Sequence, residues 1–223
     1  MDLLPTQQES LFKKRHPLAI RIWHWVTFGL FTATIITVLL VTTVFDTGSN
    51  IGMVQDMIKE KGGTITTEQA KNVTHQYSDK LWNAHKFIGY FLCFSLLSRI
   101  IIEMATSRQD KFSSRLKEAL TLSKRPPSSS SDSKHYIWVK YSYLLFYLLF
   151  FLMATTGLIM AYEEIAFLKP IQETARSIHG FVQYCIYGFI IIHLIGVIRA
   201  DVTTNRGIIS RMINDGKRSP MND

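Results

Sequence analysis

"HGFVQYCIYGFIIIH", residues 179–193, decides the reading of the fold. It opens an apolar block, Gly180 to Ile198, of 19 residues with no charged residue and His193 as its only histidine. A block of this length can cross a hydrocarbon core of about 30 Å as a helix. His179 and His193 are 14 residues apart. On a helix that is roughly 21 Å of rise, with the two side chains within about 40° of each other. One spanning helix therefore offers an imidazole near each membrane face, on one side. Ionisable groups inside membrane helices are expensive, and they mark functional positions.

Three further blocks flank this one. Val26 to Phe45 is 20 residues without a charge, and Tyr141 to Tyr162 is 22. Leu81 to Met104 carries Lys86, Arg99 and Glu103 near its ends, where long side chains can snorkel, around an apolar centre from Phe87 to Ser98. The expected architecture is an all-α, integral membrane four-helix bundle. Its spans are expected at about Leu18–Phe45, Leu81–Met104, Tyr136–Tyr162 and Thr174–Ala200. The first span is too long for a signal-peptide core, and no small-residue cleavage site follows it, so it is expected to remain.

Lysine and arginine counts near the helix ends orient the spans. The segment through Arg21 has four, residues 105–137 have seven and the tail from Arg199 has five. Residues 46–80 have four against five acids, and Glu163–Ala175 has one. Sixteen against five places both termini and the middle loop in the cytoplasm. The net charge of +8 is then a topology signal and gives no reason to invoke nucleic acid. Cys93 and Cys185 lie mid-span and read as small hydrophobes, not as a disulfide.

With this orientation each histidine acquires a depth. His24 and His193 fall near the cytoplasmic face, and His85 and His179 near the outer one. Two imidazoles from facing helices supply the axial ligands of a six-coordinate haem, a flat apolar disc suited to a bundle interior. The expectation is two b-type haems, an inner one on His24/His193 and an outer one on His85/His179. Gly89, Gly196, Gly180, Gly188 and Gly29 would give such a disc room. Arg21 and Arg199 inside, with Lys86 and Arg176 outside, could meet its carboxylates. His16, His75 and His135 lie outside the spans and are expected to be solvated. No Cys-x-x-Cys-His is present, so covalent haem attachment is not expected. Trp23, Trp25, Trp82 and Trp138 near helix ends fit the interfacial aromatic belt.

Between the first two spans, "TTEQAKNVTHQYSDKLW" has a Thr-led helix start with Glu68 in the first turn. In the middle loop, Phe112, Leu116 and Leu120 make one stripe of a short surface helix, followed by the linker "RPPSSSSDS".

These residues resemble a known family. "HPLAIRIWHW" (16–25) looks like its first-helix pattern, "HKFIGY" (85–90) its second, and the 179–193 stretch its two-histidine helix. The family is the bacterial di-haem cytochrome b group, which includes the membrane subunit of nickel-iron hydrogenases and small quinol cytochromes. The resemblance runs from His16 to Asp201. It implies His24, His85, His179 and His193 as haem ligands and a multi-pass location in the bacterial inner membrane. It also implies electron carriage between a partner redox protein, or quinol, and the quinone pool, as a subunit of a respiratory oxidoreductase. The implied organisation is a polar segment 1–15, a cytochrome b domain 16–201 with an outer loop 46–80 and a cytoplasmic loop 105–135, and a basic tail 202–223. The long outer loop departs from the pattern.

No further redox domain is visible in the 223 residues, so dehydrogenase chemistry is expected to reside in another protein. Two rivals differ in class. A self-contained, quinone-coupled oxidase of a small species such as superoxide would want a basic funnel near the outer haem. A haem-free transporter or scaffold would want broken helices or midplane polar groups, and only Thr155, Thr156 and Gly157 offer any.

Overall fold

A computed structural model describes residues 17–106, 131–203 and 207–214, with Lys111, Ser114 and Lys117 between. Among the described residues six α-helices follow one another: α1 (Leu18–Thr42), α2 (Thr47–Glu60), α3 (Thr67–Ala105), α4 (Ser131–Ala161), α5 (Gln172–Val202) and α6 (Ile208–Asn214). A 3-10 turn at Lys169–Ile171 leads into α5. Among the described residues there is no strand. Among the described residues four helical stretches are long and apolar enough to span: Leu18–Thr42, Thr67–Ala105, Tyr141–Ala161 and Lys169–Val202. The protein is an all-α integral membrane protein with four spanning helices. The expected polar segment 1–15, His16 and the Phe112/Leu116/Leu120 stripe lie outside the described residues.

The segment expected as an outer loop, 46–80, is mostly helical. Asp46 caps α2, its carboxylate accepting from the Ser49 backbone N–H at 2.9 Å. That bond, then one from the Ser49 hydroxyl, hold the Asp46 carboxyl below its usual value. At the other end the Gly62 N–H bonds the Lys59 carbonyl and the Gly63 N–H bonds the Ile58 carbonyl. This is a Schellman ending, and it places Gly62 at a φ of 80°, where glycine is favoured. A Cβ on Gly63 would come within 2.9 Å of the Ile58 side chain, so the second glycine is needed for space. The chain then re-enters helix through a reciprocal capping box. Thr66 Oγ1 accepts from the Gln69 N–H, and Gln69 Oε1 accepts from the Thr66 N–H. From there α3 runs unbroken for 39 residues. At about 58 Å it is far longer than a bilayer core.

The chain divides into two compact units, Trp25–Ser95 and a second made of Met1–His24 with Leu96–Asp223. In the first, α1 buries Thr27, Phe31, Thr34, Thr37 and Val41, spaced three or four residues apart along one face. α3 buries Ala70, Thr74, Ser78, Leu92 and Ser95. Thr27 Oγ1 and Ser95 Oγ share a buried hydrogen bond of 2.6 Å, and Phe45 stacks on Tyr77. Small polar residues suit a membrane contact, because lipid removes the hydrophobic drive between helices and leaves packing and hydrogen bonds. In the second unit α4 and α5 run antiparallel. Leu149 and Phe150 pack in this unit with Ala175, Val182 and Ile186 as its buried apolar core, and Phe146 stacks on Phe189 at 5.1 Å. Within the basic tail lies α6, where the Ile209 N–H bonds Asp201 Oδ1. Large side chains such as Phe94, Phe181 and Ile192 are 68–72% exposed, a surface suited to lipid and not to water.

Candidate cofactor site

His24 and His193 come together in the second unit. Their ring centroids are 6.3 Å apart, with ring planes at 61°. Two imidazoles bonded to opposite sides of one metal through bonds of about 2 Å have centroids roughly 6 Å apart. The pair therefore fits a shared iron. Both residues owe their place to helix geometry. α1 starts after Pro17, whose carbonyl accepts from Ile20 and Arg21, and His24 follows within two turns. His193 lies on the long α5, where Phe189, one turn back, stacks on its ring at 6.1 Å and 7°. Arg21 is one turn before His24, with Nε and Nη1 of its guanidinium buried. A buried cation there suits the carboxylates of a haem. His193 is the most exposed of the four histidines, and the other three are half-buried.

The aromatic packing continues inward from Phe189. Phe146 contacts Phe189, Phe150 and Tyr147. Tyr147 lies beside Trp23, with ring centroids 6.3 Å apart. Arg99 sits over both of these rings, 5.9 Å from the Trp23 centroid and 5.6 Å from that of Tyr147. It donates from Nε to the Tyr147 hydroxyl at 2.9 Å and pairs with Glu103 at 3.2 Å. Arg99 and Glu103 were expected merely to snorkel. Arg99 is instead committed to a partly buried cluster, with 11% of its side chain exposed.

His179 stands on the same α5, about two turns past its start and immediately before the apolar block. Thr156 Oγ1 is 3.0 Å from its Nδ1. Gly157 lies against the ring: a Cβ there would be 3.3 Å from His179 Cε1. In the other unit, His85 Nδ1 is 2.9 Å from Thr37 Oγ1, and Trp82 meets the His85 ring edge-on at 5.6 Å.

Sequence reasoning missed Thr37, Thr156 and Gly157 as companions of histidines. "TTG" at 155–157 was visible, but only as polarity in a span. At Gly89, Gly196, Gly180, Gly188 and Gly29 a Cβ would meet nothing within 4 Å among the described residues. These glycines are not required by the protein's own packing, unlike Gly157. Lys86, Arg176 and Arg199 are exposed, as is His75. The His135 side chain lies outside the described residues. Among the described residues no three His, Cys, Asp or Glu side chains gather to chelate a bare ion. A haem needs only two protein ligands, because its own nitrogens supply the other four.

A family model described as prokaryotic cytochrome b561 matches residues 15–215. The chain belongs to this family. Membership makes it a multi-pass membrane cytochrome b of the bacterial inner membrane, an electron-transfer protein that binds b-type haem. No match was found among the curated proteins or among the solved structures.

Proposed function

We propose that this cytochrome b holds two haems and carries electrons across the bilayer. The electrons pass between a redox partner of hydrogenase or dehydrogenase type, or quinol, and the quinone pool. His24 and His193 hold the inner haem, with Arg21 beside its carboxylates. His85 and His179 hold the outer one, with Gly89 and Gly196 leaving room near the two sites. The observation that carries the reading is the His24–His193 pair, whose centroids stand 6.3 Å apart as a shared iron requires.

The second pair rests on sequence. α5 puts His179 about 21 Å along the axis from His193, and the lysine and arginine bias assigns His85 and His179 to the outer face, with both termini cytoplasmic. Each haem supplies reversible one-electron chemistry when bound. The chain supplies ligation, burial and a low dielectric, which set the potentials. Rigid α5 fixes the separation of the two sites. The apolar span between them excludes water, so protons do not follow electrons along the same path.

A haem assay with a reduced-minus-oxidised spectrum on detergent-purified protein tests this. Two b-type haems per chain with low-spin bis-imidazole spectra are expected. One haem per chain would overturn the two-site reading, and none would overturn the electron-transfer reading.

A further inference from the structure

Thr37 and Thr156 meet the two histidines assigned to the outer haem in the same way. A hydroxyl has one proton to give. Thr37 Oγ1 is 2.7 Å from the Thr34 carbonyl and 2.9 Å from His85 Nδ1. A carbonyl can only accept, so the shorter contact takes the proton. The Thr37 oxygen is then an acceptor toward the imidazole, and His85 must donate from Nδ1–H. Thr156 repeats the pattern. Its Oγ1 donates to the Leu152 carbonyl at 2.7 Å and stands 3.0 Å from His179 Nδ1. In a neutral imidazole with the proton on Nδ1, the lone pair is on Nε2. Gly157 adds a steric limit at His179, since its missing Cβ lets the ring lie 3.3 Å from that position.

We propose that Thr37 and Thr156 are positioning residues for the outer haem. Their hydroxyls hold His85 and His179 in the Nδ1–H tautomer and aim Nε2 outward as a metal ligand. They also enrich the ring in electron density and so hold the haem potential down. This rests on the reading of His85 and His179 as ligands. Partners of this kind fix ring orientation, raise ligand basicity, and cost about 10–100-fold in metal affinity when removed. A more basic ligand stabilises ferric over ferrous iron. Losing the acceptor should therefore shift the oxidised-to-reduced ratio about tenfold toward reduced, a rise of about 59 mV for one electron.

The test is a spectroelectrochemical titration of the haem-loaded, detergent-purified protein. Thr37→Val and Thr156→Val are compared with Thr37→Ser and Thr156→Ser. Each valine variant should raise one haem midpoint by about that amount, and each serine variant should restore it. Unmoved midpoints in both valine variants at full haem content would overturn the proposal. Where valine lowers haem content, recovery by serine supports the hydroxyl's role, and equal loss in the serine variant overturns it. His85→Ala and His179→Ala separate the two readings. Full haem in these variants sinks the ligand assignment itself, whereas haem loss there with unmoved valine midpoints sinks only the threonine role.

Discussion

At one end of α5, His193 lies flat on Phe189 and faces His24 across 6.3 Å. At the other, His179 is hydrogen-bonded to Thr156 and rests against the bare backbone of Gly157. The same helix thus holds two imidazoles by different means. A stacked ring fixes the imidazole plane through dispersion, which is shallow and tolerant. It does not say which nitrogen carries the proton. A hydroxyl whose own proton is committed to a carbonyl fixes both the rotation and the tautomer. Under the proposed ligation, the first arrangement would leave the choice of nitrogen to the metal, and the second would make it in advance.

The largest effect that bears on this contrast is loss of a ligand. His24→Ala and His193→Ala should each remove one of the two haems and leave the same residual spectrum, with about half the haem content. Different residual spectra would show that the two rings serve different haems, and the facing pair would lose its meaning. Next is Gly157. An alanine Cβ would press on His179 at 3.3 Å, so the ring must yield by a few tenths of an ångström, which strains its contact with Thr156. Gly157→Leu should cost the His179 haem about 10–100-fold in affinity, and Gly157→Ala should sit near the low end. Haem titration of purified apo-protein measures both. Equal losses at the inner and outer haems would mean general unfolding and would break the comparison.

How much of this was legible in advance follows from the physics of each signal. The spans were legible because lipid demands long apolar blocks, and the block 180–198 became the core of α5. α2 was not, because its pattern is weak: Thr47–Glu60 has no buried residue. Its ends were written plainly, though, in Asp46 and in Gly62–Gly63. The start of α3 was read from its threonines and Glu68, while the partner that closes the capping box is Gln69. At the site, histidines stand out because they are rare in such helices. Threonines do not. Thr32 and Thr42 bond carbonyls of their own helix in the same way as Thr37 does, so nothing in sequence distinguishes the hydroxyl that also meets an imidazole. Gly157 hides similarly among glycines that touch nothing.

The Arg99–Glu103 pair sharpens the inner side of the contrast. It braces Trp23 and Tyr147, which continue the aromatic packing around His193. Breaking a buried pair strands a charge at a cost of 3–5 kcal/mol, and the 26% exposure of Glu103 reduces this to about 1–3 kcal/mol. Arg99→Met should lower the thermal midpoint in detergent and broaden the inner haem spectrum, leaving the outer one alone. Arg99→Met with Glu103→Leu should recover much of the stability, because no charge is left stranded. A double variant as unstable as the single would show that packing, not charge, is the cause.

The smallest effect lies away from both ends, at the α2 cap. Asp46 is fully exposed and its carboxyl is held below the ordinary value by the Ser49 N–H and hydroxyl. A group with a depressed folded pKa stabilises fully above its unfolded value, and that contribution disappears as pH falls through the folded value. The cap should therefore be intact at neutral pH and weaken only in acid, below the usual carboxylate range. Hydrogen exchange at the first turn of α2, taken relative to the intrinsic rate at each pH, reads this directly: lower protection in acid is expected for the parent. Asp46→Ala should show faster exchange already at neutral pH. Both haem midpoints should stay put in that variant. A shift in either would tie the hairpin to a haem site and make the two-ended account of α5 incomplete.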